Sequence, residues 1–99
     1  MKAENQLYYG YLEEVIEADL LKSNIVSGRQ IRCARTLAGL TQAELASAAG
    51  LHPRSIRYHE RKGDAPPTCV ESTLKAIEHA LTEKGVIVFR EPTPGVRIR

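Results

Sequence analysis

Residues 52–61, "HPRSIRYHER", place Arg54, Arg57 and Arg61 beside Tyr58, His52 and His59. Guanidinium groups at this density suit a polyanion, and imidazoles can ligate a metal or carry a proton. Spacing decides between these chemistries. At about 100° per residue, with Arg54 set at zero, Tyr58 falls about 40° to one side, and Arg61 and Arg57 about 20° and about 60° to the other. Ile56, flanked by His59 and Glu60, points the opposite way. Three cations on one helical face repel each other, whereas a phosphate backbone attracts them. Arginine also reads guanine edges bidentately, a contact worth about 1–3 kcal/mol of discrimination. Tyrosine can bond a phosphate or touch a thymine methyl group.

The metal reading is weaker. His52 and His59 lie seven apart, nearly on one helical face, and Cys69 is not far along the chain, but structural zinc takes four ligands at close spacings. His52 reads as a helix cap and phosphate contact, His59 as a partly buried packing residue, and His79 as a surface residue. Cys33 and Cys69 read as small apolar residues. No Gly-rich phosphate loop or nucleophile elbow is present. The expectation is therefore no enzyme, no metal and no cofactor.

The element that carries the arginines has clear bounds. Pro53 favours a first helical position, with His52 as N-cap, so a helix is expected over 53–61. Before it, "TQAE" at 41–44 is a capping box in which Thr41 and Glu44 bond reciprocally. That helix runs to about Ala49, with Leu45, Ala46 and Ala49 inward. Gly50 supplies a left-handed turn and Leu51 a core plug. Two short helices around a Gly-containing turn make a helix-turn-helix candidate. A preceding helix runs from about Arg29 to Ala38, with Ile31, Ala34 and Leu37 or Ala38 inward, and ends at Gly39.

The flanks complete the outline. Residues 4–22 read as an acidic amphipathic helix bearing Leu7, Tyr8, Tyr11, Leu12, Val15, Ile16 and Leu20. "KSNIVSG" at 22–28 reads as a connector. "TCVE" at 68–71 resembles a second capping box, opening a helix to Lys84 with Val70, Leu74, Ile77 and Leu81 inward. Val86–Phe89 and Val96–Ile98 read as two strands around "EPTPG". A lone hairpin is marginal in water, so this pair must pack on the helices or extend a partner's sheet.

The chain of 99 residues suits one domain, organised as an acidic helix and connector over 1–27 and a basic unit over 28–99. Between 29 and 62, seven basic residues face only Glu44 and Glu60, the footprint a polyanion partner requires. No apolar run approaches the length of a membrane span, and the first residues lack the apolar stretch of a secretory leader. Two cysteines without metal or disulfide spacing fit a reducing cytoplasm.

"IRCARTLAGLTQAELASAAGLHPRSIRYHE", 31–60, resembles the Xre/Cro-type helix-turn-helix of phage repressors and related bacterial regulators. "TLKAIEHALTEKGVIVF" and "GVRIR" are similar to the closing helix and strands of one branch of such regulators. The resemblance implies a mainly α, phage-repressor-like bundle, here with an extra N-terminal helix and a C-terminal β-hairpin. It implies a DNA phosphate contact from Gln42, and backbone and base-edge contacts from His52, Pro53, Arg54 and Tyr58, to which the helical face adds Arg57 and Arg61. It assigns Arg35 and Glu60 to a structural pair between the first and recognition helices. Two positions depart from the family. Pro53 replaces a base-reading polar residue, which leaves direct readout to Arg54, Arg57 and Tyr58. His59 stands where the family has an apolar residue. "AELASAAGLHPRSIRYHERKGDAPP" also resembles the opening of MerR-type regulators, but a complete helix precedes it and no long dimerising helix follows.

The expectation is a sequence-specific DNA-binding regulator, acting as a homodimer on a palindromic operator. Two alternatives share the scaffold: the antitoxin half of a complex with a toxin, and a pure protein-interaction module.

Overall fold

The computed structural model describes residues 22–99. The acidic helix expected over 4–22 lies, Lys22 apart, outside the described residues. Those residues form a mainly helical structure of four helices closed by a two-stranded hairpin.

Helix α1, Gly28–Leu37, begins where the Ser27 hydroxyl accepts from the Gln30 amide at 3.2 Å. Ile31 and Ala34 are fully buried on its inner face. Ala38, the cap, packs on the core, and Leu37 is 42% exposed. Gly39 then turns the chain with φ of 73°. Helix α2, Gln42–Ala49, opens on the capping box: Thr41 N–H donates to Glu44 Oε1 at 2.8 Å and Glu44 N–H to Thr41 Oγ1 at 3.0 Å. Leu45 and Ala46 are buried, and Gly50 ends the helix with φ of 71°. Only the residues Gly50, Leu51 and His52 separate it from α3, Pro53–Arg61, and Leu51 packs partly buried against the core.

Helix α4, Glu71–Glu83, differs from expectation at its start. Its N-cap is Val70, without any side-chain cap bond, so the Thr68 capping box does not form. Thr68 instead lies beside the Tyr58 hydroxyl. Val70, expected inward, is 66% exposed, because a capping position points away from the stripe formed by Leu74, Ile77 and Leu81. Strand β1, Val86–Phe89, pairs antiparallel with β2, Gly95–Ile98, in the register Val86↔Ile98 to Phe89↔Gly95. Val86 and Val88 face the helices, so the hairpin gains the packing it lacks alone.

The segment read as a connector is packed. Ile25 belongs to the core, and Ser23 is buried. The Glu78 carboxylate accepts from the Ser23 hydroxyl and from the Asn24 amide and side chain, each at 2.9 Å. Buried Gln30 ties this segment to the hairpin: its Oε1 accepts from Val26 N–H at 2.6 Å, and its Nε2 donates to the Phe89 carbonyl at 2.9 Å. Among the described residues no helix is long and apolar enough to cross a membrane.

Helices α1 and α3 meet closely at Gly28. A Cβ there would lie 1.7 Å from the His59 carbonyl oxygen. Next to it, Arg29 N–H donates to the Gly63 carbonyl at 2.9 Å. The start of α1 is thus seated on the end of α3. Gly28→Ala should therefore destabilise by about 1–3 kcal/mol or more, since backbone cannot step aside. Gly39→Ala, which meets open space but keeps a positive φ, should cost about 1 kcal/mol. Urea midpoints of the two variants check the order.

Candidate functional site

Helix α3 divides along its length as its sequence periodicity requires. Ile56, fully buried, anchors it, and burial of such a side chain contributes about 1.5–3 kcal/mol. His59 and Glu60 are buried beside it, while Arg54, Arg57, Tyr58 and Arg61 are exposed. His52 caps the helix by accepting the Arg54 amide on Nδ1 at 3.0 Å, and Pro53 takes the first helical position.

The orientation of that exposed face is set from behind. Arg35 on α1 donates from Nε to Glu60 Oε2 at 2.6 Å and from Nη2 to Glu60 Oε1 at 3.0 Å. Its Nη1 donates to the Leu40 carbonyl at 2.9 Å. Gln42, the first residue of α2, donates from Nε2 to Glu60 Oε1 at 3.2 Å. One carboxylate from α3 is therefore held by α1 and α2 together. The bond to Glu60 raises the Arg35 pKa against the opposing effect of burial. The resemblance gives Gln42 a phosphate; here its side-chain amide is turned to Glu60.

Two concavities flank α3. One, about 380 Å³, is lined by His52, Arg54, Ser55 and Tyr58. The other, about 210 Å³, lies between α1 and α3 and is lined by Arg32, Arg35, Gln42, Arg57, Glu60 and Arg61. The helical wheel put Arg54, Arg57, Tyr58 and Arg61 in one arc, whereas the structure assigns Arg54 and Tyr58 to the first concavity and Arg57 and Arg61 to the second. Sequence reasoning missed Arg32. Its signal was the spacing Arg32–Arg35, which puts both on one face of α1.

Tyr58 is positioned by its neighbours. Lys62 Nζ stands 4.9 Å from its ring centroid. Thr68, and then Lys62, draw the phenol below its ordinary pKa. His59 meets the Tyr58 ring edge-on with centroids 5.3 Å apart. The two histidines of this segment do not converge: His52 is an exposed cap and His59 is buried with its Nδ1 unpartnered. A further cleft, about 370 Å³, lies between α1 and β2 and includes Cys33. Its polar groups are already engaged, Arg29 with Asp64 at 3.0 Å and Gln30 with hairpin carbonyls.

The Arg35–Glu60 pair is mostly buried, with side-chain exposures of 17% and 5%. Removing one partner leaves the other charge unpaired, so Arg35→Ala should cost about 3 kcal/mol or more. Replacing both, Arg35→Met with Glu60→Leu, should cost less than either single truncation. Chemical denaturation of Arg35→Ala, Glu60→Ala and the double replacement measures both statements.

Burial, and then Lys62, lower the His59 pKa from 6.5. The unfolded chain thus binds a proton that the folded chain refuses. This contribution leaves stability intact above pH 6.5 and erodes it as pH falls below that value. His59→Leu should flatten this acid limb, as measured by urea midpoints on either side of pH 6.5.

Comparison with known proteins assigns no family: no family model matches the chain, and no curated protein matches it.

Proposed function

We propose that the chain is a sequence-specific DNA-binding transcriptional regulator with a phage-repressor-like helix-turn-helix. In this reading α3 enters the major groove and α2 crosses the backbone. The observation that carries it is the exposed face of α3. Arg54, Arg57 and Arg61 have no carboxylate partner among the described residues, while the buried face is fixed by Ile56 and the Glu60 pair. Packing accounts for the second face and leaves the first unexplained.

The position of Arg54 adds weight. It lies in the first turn of α3, where a helix disfavours positive charge. Arg61 and Lys62 lie at the opposite end, where the helix favours it. Arg54 therefore sits against its local field, a cost that a phosphate or a guanine edge offsets. Pro53 offers no hydrogen bond, so base reading falls to Arg54 and Tyr58, with His52 beside them. A domain of this size touches few base pairs, so this reading includes a homodimer on a palindromic site, with the free edge of the hairpin or the segment 4–22 as the contact.

Duplex binding measured across a salt series tests the reading. Affinity should fall steeply as salt rises. Arg54→Ala should relax base preference at one position by about 1–3 kcal/mol. Absence of binding to any duplex at low salt contradicts the proposal.

A further inference from the structure

The cleft between α1 and α3 carries more positive charge than the fold uses. Arg35 and Glu60 form its floor and satisfy each other, with Gln42 on the remaining side of the carboxylate. Each nitrogen of the Arg35 guanidinium is engaged. Arg32, Arg57 and Arg61 remain at the rim. All are exposed, and none pairs with a carboxylate among the described residues. Two elements thus converge three unpaired guanidiniums on a space of about 210 Å³.

The wall chemistry separates this cleft from its neighbour. Every lining side chain here ends in a charged group or an amide, and none is aromatic or aliphatic. The concavity beside it offers the Tyr58 ring and the His52 imidazole. The first offers charge that suits anionic oxygens, and the second offers mainly ring surface.

We propose that Arg32, Arg57 and Arg61 together grip one phosphate group of the duplex backbone, and that Arg57 belongs to this grip and not to base reading. The inference rests on the DNA-binding reading and adds α1 to the contact surface. Sequence alone grouped Arg57 with the base-reading residues; the cleft moves it to the backbone.

The test compares the full chain with Arg32→Gln, Arg57→Gln and Arg61→Gln on a panel of duplexes across a salt series. Each variant should weaken binding to every duplex by the same factor. The triple variant should make the slope of log affinity against log salt shallower by about 0.9, the value for one lost phosphate contact, and each single variant by part of that. Relative preference among duplexes should stay unchanged. An unchanged slope for Arg32→Gln, or altered base preference for Arg57→Gln, overturns the proposal while leaving the regulator reading standing. Failure of the unsubstituted chain to bind any duplex overturns that reading instead. The cleft itself is then judged with inorganic phosphate, exchanged for chloride at constant ionic strength and followed at the arginine Nε–H resonances. Saturable shifts confined to Arg32, Arg57 and Arg61 support a phosphate site that takes the free anion. Shifts shared equally by Arg54 and Arg97 overturn a built cleft.

Discussion

The contact of α1 with α3 is the constraint on which the arrangement depends. At one end Gly28 lets the backbone of α1 rest on the His59 carbonyl. At the other, the Arg35 guanidinium holds both Glu60 oxygens and the Leu40 carbonyl. A helix seated at two points cannot roll about its axis. Rolling α3 would expose Ile56 and bury an arginine, so these contacts fix which side chains face solvent. Buried pairs often break even against apolar replacements of similar volume. The physical consequence of this one is orientation.

The charge pattern follows from that orientation. The fold absorbs the positive charge of Arg35 completely and pairs Arg29 with Asp64 at the surface. It leaves Arg32, Arg54, Arg57 and Arg61 outward on the α1–α3 side. His59 is the weak point behind this surface, a buried imidazole with an unpartnered nitrogen where a simple apolar side chain would suffice.

Local chemistry was legible in the sequence. The Thr41–Glu44 box, the Gly50 turn and the His52–Pro53 helix start involve neighbours within three or four residues, and each forms. The inward set of α3 followed from periodicity. What escaped depends on distant partners. Ile25 and Gln30 read as parts of a connector and a helix start, yet one joins the core and the other bonds to a hairpin carbonyl far along the chain. "TCVE" carries the same local signal as "TQAE", but only the latter is used: α4 starts at Glu71 with Val70 as its cap, and Thr68 lies beside Tyr58. Likewise a single helical wheel could not show that Arg57 and Arg61 share a cleft with Arg32 of α1 while Arg54 and Tyr58 line another.

The central claim is that the exposed face of α3, held by α1, meets a nucleic-acid duplex. The most direct measurement is a map of backbone amide shifts as a duplex is titrated into the full chain. The account predicts shifts concentrated on α3 and its flanks at His52 and Lys62, at the start of α2, and at Arg32. Shifts centred on the outer face of α4 around His79, or along β2, with α3 unmoved, would contradict it.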